Sequence, residues 1–382
     1  MGGWWGWMKA NFLPLHILIG YVFVVSGLIV CGLMALTYLL VWPWNRQLYR
    51  KIVMNLAYTH WCQFTFLGQW WAGCNCTLHL DNKDDLKYIG HEHVVALMNH
   101  KYDIDWLMAW LLSERFAMLG GTKIYGKSSL KMVPLIGWAW TFTESIFLKR
   151  NWDKDKEIIS RDLAYIRDYP DGYSITLLLF CEGTRFTDDK HKASMEVAKA
   201  KGLPLLKHHL LPRTRGFIHT VHGLKGKVPA ILDLTVAFRK DGAEPTLMNV
   251  LQGRACKAEM YCRRIPLDSV PTNTDQECAD WVQKVFREKD EVYDDFYRNG
   301  KFTRGVKTEI PLRVNDMVVW FMWTIVLCVP LYYYIVSLIM TGSYATLFWA
   351  IVIIAVFAII LRLMIAVSEI KSHGSSYGKK DD

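Results

Sequence analysis

Two stretches of the chain carry no formal charge. One covers residues 10–45, between Lys9 and Arg46, and the other residues 317–361, between Asp316 and Arg362. A helix over the first, at ~1.5 Å per residue, outruns the ~30 Å hydrocarbon core of a bilayer. That stretch is therefore expected to tilt, or to bend into the interface, rather than to stand as one upright span. The apolar core of a secretory signal is only about 7–15 residues long, and no small-residue cleavage site precedes Arg46, so the stretch reads as a retained anchor. The second stretch divides at Thr341-Gly342-Ser343 into two predicted spans, 317–340 and 344–363, with Pro330 inside the first.

Between these blocks the periodicity changes. From Gln47 to Trp71, basic residues alternate with Leu48, Ile52 and Leu56 at helical spacing, and Trp61, Phe64, Phe66 and Trp70 follow. The pattern fits a helix lying in the headgroup layer, and it fits a core-facing amphipathic helix equally well. From about 91 to 270, short apolar runs of strand length end at polar clusters. Val94–Met98, Ile175–Phe180 and Ala230–Phe238 are predicted strands, and Asp105–Arg115 and Trp152–Tyr169 predicted helices. Strands alternating with helices predict an α/β layered structure. Residues 275–299 form one more helix, charged on one side and carrying Trp281, Val282, Val285 and Phe286 on the other.

Charge changes the picture in two ways. Among 382 residues, 45 Lys and Arg outweigh 36 Asp and Glu, for a net charge of +9. A basic protein can serve nucleic acid, acidic substrates or anionic membrane surfaces. With apolar spans in the same chain, the membrane and its phosphate-bearing lipids are the expected partners, and nucleic acid is not. Arg46, Arg50 and Lys51 follow the first block while only Lys9 precedes it, which by the positive-inside bias puts the main body in the cytosol. The nine cysteines, an odd and scattered set, fit a reducing compartment rather than a disulfide framework. Cys74 and Cys76 lack the second pair that a structural zinc site needs, and no metal is expected. Together these features exclude a disordered chain, a disulfide-stapled mini-domain, a simple soluble enzyme and a many-spanning channel.

Candidate chemistry sits at two strand ends. Asn99-His100-Lys101-Tyr102-Asp103-Ile104-Asp105 follows the strand 94–98, and ligand clefts in α/β sheets open at carboxyl ends. In one continuous helix His100 and Asp105 would point about 140° apart. A strand-turn-helix lets them meet, with the carboxylate fixing the imidazole tautomer and leaving one ring nitrogen as a base. The pattern equally allows Asp105 to cap its helix while His100 sits in a loop. Phe180-Cys181-Glu182-Gly183-Thr184-Arg185-Phe186 follows the strand 175–180. There glycine admits close backbone approach, Thr184 offers a hydroxyl, and Arg185 can grip a phosphate or carboxylate bidentately. Alone, such an Arg–Glu loop is more often structural. His208-His209 reads as a solvated or structural pair, because no carboxylate lies at ligand spacing, and no nucleophile elbow is present.

Taken together, Asn-His-x4-Asp and, some eighty residues on, Glu-Gly-Thr-Arg resemble the glycerophospholipid acyltransferases, and among them the 1-acylglycerol-3-phosphate acyltransferases. The motifs cover about 90–240, and the single anchor in front with the apolar pair behind is similar to the gamma/delta branch. The resemblance implies that His100 is the general base, Asp105 its orienting partner and Asn99 part of the same motif. It implies that Glu182, Gly183, Thr184 and Arg185 hold the acceptor phosphate. Glu144–Arg150 resembles the family's Gly-x-Ile-Phe-Ile-x-Arg with the glycine replaced, implying Lys149 and Arg150 as further phosphate contacts. Val228-Pro229 with the strand after it resembles a Pro-centred motif lacking its second proline, and Lys127, Pro134 and Gly137 would support the site. Gly121-Thr122-Lys123-Ile124-Tyr125-Gly126-Lys127-Ser128 also matches the phosphate loop of nucleotidases letter for letter. That loop needs a long helix after it, where here Pro134 and Gly137 follow.

The resulting expectation is an α/β acyltransferase-type layered sheet with flanking helices, an N-terminal membrane helix and a C-terminal transmembrane helix pair. Its segments are an anchor (1–45), an interfacial helix (46–75), the α/β domain (76–300), a two-span hairpin (301–366) and a tail (367–382). The implied activity is transfer of an acyl group from acyl-CoA to the sn-2 hydroxyl of lysophosphatidic acid, giving phosphatidic acid, with acyl-CoA as co-substrate and no cofactor. The rivals are another lysophospholipid acceptor, such as a lysophosphatidylinositol or lysocardiolipin, a phosphate-loop nucleotidase, and a non-catalytic membrane scaffold. Lys379 and Lys380, fourth and third from the end, resemble a dilysine retrieval signal and imply the endoplasmic reticulum membrane, with body and tail in the cytosol. A bare Asn75-Cys76-Thr77 sequon is expected from that orientation. The sequence sets no oligomeric state.

Overall fold

The structure is a computed structural model that describes residues 3–169 and 172–368; Lys379 and Lys380 lie outside the described residues. A short helix α1 (Trp4–Asn11) breaks at Phe12, where the backbone turns extended, and Pro14 opens the long apolar helix α2 (Leu13–Leu40). Helix α3 (Arg46–Phe66), capped by the Asn45 side chain, runs on into a π-helical stretch over Leu67–Ala72. The mixed layer then follows as β1 (Asn75–Leu80), β2 (Val94–Met98), α4 (Asp105–Arg115), β3 (Thr122–Lys127), α5 (Ile136–Phe142), β4 (Ile146–Leu148), α6 (Trp152–Arg167) and β5 (Thr176–Leu179). After it come α7 (Asp188–Ala200), α8 (Thr214–Leu224), β6 (Ala230–Phe238), α9 (Leu247–Leu251), β7 (Lys257–Pro266), α10 (Asp275–Asn299) and β8 (Val306–Thr308). The apolar helices α11 (Asn315–Met340) and α12 (Tyr344–Ser368) close the described chain.

The strands form one eight-stranded sheet in the order β4-β3-β5-β2-β6-β7-β1-β8. Strands β4, β3, β5, β2 and β6 are parallel, while β7 runs antiparallel to β6 and β8 antiparallel to β1. The predicted strands at 94–98, 175–180 and 230–238 are thus three adjacent strands at the sheet's centre. Their near-continuous apolar character follows from burial on both faces. Val94, Ala96 and Met98 pack with Leu107 and Leu111 of α4, whereas Val95, Leu97, Leu177 and Ile231 pack with α6, α8 and α10. Sheet residues begin at Asn75 and end at Thr308.

The phosphate-loop reading fails here. Residues 122–127 are strand β3, and Lys123 is 1% exposed, its Nζ donating to the Thr143 carbonyl and to the Tyr169 hydroxyl (2.7 Å). An extended, hydrogen-bonded strand has no row of free N–H groups to cradle a phosphate.

Helix α2 is not a free-standing rod. Near its start Lys9 Nζ donates to the Trp71 carbonyl (2.6 Å), and further along the Cys31 thiol faces the Leu135 carbonyl at 3.5 Å and Tyr38 meets the Tyr49 ring. By length and composition α2 and α11 are able to cross a membrane. In α3, core packing takes the Tyr49, Val53, Ala57 and Trp61 side, while Leu48 on the opposite side is exposed. Arg50 is also in the core, 1% exposed, bridging Glu144 (2.9 Å) and Asp168 (2.8 Å).

Candidate active site

Parallel strands deliver their carboxyl ends to one edge of the sheet, and the two candidate motifs meet there. Asn99 is buried, and its side-chain amide exchanges two hydrogen bonds with the Val236 backbone (3.0 and 2.8 Å), fixing where β2 ends beside β6. The next residue, His100, turns out of the strand. Its ring stacks on Phe180 (centroids 4.1 Å apart) and its Nδ1 lies 3.3 Å from Asp105 Oδ2.

Asp105 occupies the first turn of α4 with no exposed surface, and the helix cap is Ile104, which makes no side-chain capping bond. Its Oδ2 instead accepts from the backbone N–H groups of Lys101 (2.6 Å) and Tyr102 (2.8 Å). The carboxylate thus holds the turn between strand and helix and faces the imidazole with the same oxygen. An oxygen that only accepts requires N–H at Nδ1, so the lone pair falls on Nε2. Of the two sequence readings, the strand-turn-helix that lets the pair meet is what the fold contains; Asp105 does not cap its helix, because its Oδ2 is taken up by the turn in front of it.

Three bonds interlock the His100 turn with the segment eighty residues downstream. His100 N donates to Glu182 Oε1 (2.9 Å), Phe186 N donates to the His100 carbonyl (2.8 Å), and Arg185 pairs with Asp103. Glu182 is 1% exposed, and its other oxygen accepts from Leu210 N (3.0 Å). Its carboxylate points inward at two backbone donors, so its geometry is that of a brace under His100 rather than of a group open to a substrate phosphate. Burial pushes its pKa up to about 8 against the pull of those two N–H groups. A carboxyl whose proton is held more tightly in the folded state favours folding most below its ordinary value of 4.5. That contribution is lost as pH rises through about 8. Glu182→Gln removes this slope, and its amide N–H2 also faces a backbone N–H, a mismatch costing about 1–3 kcal/mol. Unfolding midpoints measured on both proteins across that range check this: the wild type falls and the variant, lower at acid pH, stays flatter.

Around the Gly183–Arg185 turn four cations converge. Gly183 takes a left-handed conformation (φ +69°), and a Cβ there would press on the Arg213 side chain at 2.8 Å. Arg150 Nη2 donates to the Gly183 carbonyl (3.4 Å), and Lys190 Nζ to Thr184 Oγ1 (2.9 Å) and the Arg185 carbonyl (3.2 Å). Burial lowers the pKa of Arg150, helped by Arg213, and lowers that of Lys190, helped by Arg185 and Arg150. Like charges this close raise the local positive potential and favour an anion beside the turn. Lys190 and Arg213 escaped the sequence reading. Lys190 lay just past the motif, at the start of α7, but Arg213 had no local signal, being placed by its backbone N–H on the Cys181 carbonyl (2.7 Å).

The remaining predicted residues divide. Lys149 is exposed beside Arg150, with its backbone N–H on Asp155 (2.7 Å). Glu144, standing where the family pattern has glycine, is indeed left-handed (φ +60°), and Arg50 holds its carboxylate. Lys127 closes β3 at the same edge as His100, and Pro134 and Gly137 follow it. Val228 and Pro229 do not join them. They precede β6 at the opposite edge, seven residues or ~23 Å of strand before Val236. His208 and His209 do find carboxylates, Asp294 (2.9 Å) and Asp290 (2.8 Å), supplied by α10 and invisible to local spacing.

Two family models match the chain. Residues 79–237 match the family model described as Acyltransferase, and residues 249–323 the one described as Acyltransferase C-terminus. The chain is 44% identical over 376 residues to 1-acyl-sn-glycerol-3-phosphate acyltransferase delta of Homo sapiens, covering 98% of this chain and 97% of the relative. It is 42% identical to the delta protein of Mus musculus over 377 residues (99% and 97%), and 39% identical to the gamma protein of Homo sapiens over 374 residues (98% and 97%).

Proposed function

Because the chain belongs to the family of 1-acyl-sn-glycerol-3-phosphate acyltransferases, we propose that it transfers a fatty acyl group from acyl-CoA to the sn-2 hydroxyl of lysophosphatidic acid, forming phosphatidic acid. The observation that carries this reading is the interlock of the His100–Asp105 pair with the cation-lined 182–186 turn. An imidazole with a free Nε2 then stands beside an anion site at one sheet edge. The acceptor hydroxyl is too weak an acid to ionise unaided, so Nε2 of His100 takes its proton as the oxygen attacks the thioester carbonyl. Asp105 stabilises the imidazolium that results, and CoA leaves as the thiol when the tetrahedral adduct collapses and the proton is returned. Arg185, Arg150, Lys190 and Arg213 hold the acceptor phosphate, and Glu182 acts as a positioning residue. No cofactor takes part.

Arg185 also pairs with Asp103, which ties phosphate binding to the same turn that carries His100. Arg185→Ala is expected to lower kcat/KM by roughly 10- to 150-fold, the worth of one or two charge-assisted hydrogen bonds. Most of the effect falls on KM for the acceptor, and Arg185→Lys restores only part of it because the planar fork is lost. A panel of lysophospholipids with labelled acyl-CoA tests the substrate. Preference for lysophosphatidylinositol or lysocardiolipin would keep the chemistry and overturn the acceptor.

The reading extends to topology. We take α11 and α12 as a membrane-crossing hairpin and α2 as an anchor docked along the body, in the endoplasmic reticulum membrane with the body and tail in the cytosol. The free cysteines and the dilysine resemblance support this. Sugar on Asn75, whose side chain accepts from Arg115 (3.0 Å), would reverse it.

A further inference from the structure

The segment joining β3 to α5 is held rigidly while presenting apolar side chains to the outside. Met132 is 79% exposed and Trp138 39%, with Pro134 also exposed between them. The turn is not slack. Leu135 is left-handed (φ +66°), a strained conformation for leucine. Its side chain packs against Gly27 of α2, and its carbonyl faces the Cys31 thiol of the same helix. At Gly137 any Cβ would overlap the Leu130 carbonyl, so only glycine lets the segment fold back into α5. Sequence and backbone strain are therefore committed to holding this tip out, where water alone gives no return for it.

Charge surrounds the tip. Lys127 and Lys131 are exposed, and Lys131 Nζ lies 5.0 Å from the Phe147 ring of β4. The β3–β4 register pairs Lys127 with Leu148, so Lys149 and Arg150 emerge from the same edge, and Arg150 reaches the Gly183 turn. The surface is continuous with α2, which turns Leu28 and Leu36 outward. An apolar tip ringed by lysines and continuous with an apolar anchor is complementary to the boundary between acyl chains and lipid phosphates, not to a soluble protein.

We infer that residues 127–138 are a lipid-surface contact in their own right, seating Met132 and Trp138 among acyl chains and Lys131 on lipid phosphates, and so presenting a membrane-dissolved acceptor to the Arg150–Arg185 cluster. The second half of this statement rests on the function proposed above; the first does not.

A nitroxide placed at Met132→Cys tests the contact. Eight of the nine native cysteines are buried, and Cys328 is replaced by serine. The full chain is reconstituted in vesicles of phosphatidylcholine with phosphatidylserine. The label at 132 is expected to be reached by oxygen and shielded from a water-soluble nickel complex, whereas a label at Lys284→Cys, on the outer side of α10, shows the reverse. If 132 behaves as 284 does, the contact is overturned. A second arm uses Lys131→Glu with Met132→Ser. KM for vesicle-borne lysophosphatidic acid rises about thirtyfold, the effect of reversing one charge at an anionic surface, while turnover of a water-soluble short-chain acceptor is unchanged. An equal loss on both acceptors overturns the presenting role. A lipid-seated label in a protein inactive on every lysophospholipid overturns the proposed function and leaves the contact standing.

Discussion

Replacing His100 with alanine lowers kcat/KM for acyl transfer by about 10²–10⁴-fold, the range that general-base help supplies, while the protein remains in the membrane fraction with its unfolding midpoint nearly unchanged. The separation of activity from stability follows from where the ring sits. Its side chain is 19% exposed at the sheet edge, and its ring stacks on Phe180. The bonds that fix the turn come from its backbone, which alanine keeps: N–H to Glu182 and carbonyl to Phe186. Asp105→Asn should behave differently. Its carboxylate also anchors the Lys101 and Tyr102 N–H groups, so that variant loses both turnover and some stability. Wild-type turnover in the alanine variant would end the general-base assignment.

What could be read from the chain beforehand was whatever local order determines. Strand β2 and helix α4 have the bounds expected from the sequence because Val94–Met98 is uniformly apolar and Asp105 opens an amphipathic run. Strand β7 did not. Lys257, Glu259, Arg263 and Arg264 interrupt its apolar pattern, and only the folded sheet supplies their partners, with Glu259 on His79, Arg263 on Asp233 and Arg264 on Glu92. Strand β3 was hidden by resemblance to a loop, since two glycines and two lysines in the seven residues 121–127 look like a phosphate cradle until Lys123 is seen buried. Within the candidate site, His100, Asp105 and Arg185 were legible as letters of the two motifs that follow the strands 94–98 and 175–180. Arg213 and Asp290 were not, because each reaches its partner across more than thirty residues of sequence. Glu182 was legible as a motif letter but not as a brace, since motif spacing says nothing of which way a carboxylate turns.

The second large effect is expected behind the site, at a lysine with no part in the chemistry. Lys289 on α10 is 1% exposed, and its Nζ sits 2.6 Å from Asp233 Oδ1 and donates to the carbonyls of Leu234 (2.5 Å) and Leu97 (3.3 Å). Lys289→Met fits the same space but leaves a buried aspartate with Arg263 as its remaining cation (3.0 Å) and strips two strand carbonyls of a donor. Removing one partner of a buried pair costs about 3–5 kcal/mol, which for a domain of this size lowers the thermal midpoint by roughly 10 °C. Leu97 and Leu234 each lie two residues ahead of the Asn99–Val236 lock that places His100. The lock is made by Asn99 itself, so the protein still folded is expected to keep kcat within about tenfold of wild type. Adding Asp233→Asn to Lys289→Met removes the uncompensated charge and should recover part of the lost stability. Thermal unfolding in detergent, read beside initial rates, separates the two sites: His100→Ala loses rate without midpoint, and Lys289→Met loses midpoint with little rate. A Lys289→Met protein as stable as wild type would show that water already solvates Asp233 in the fold.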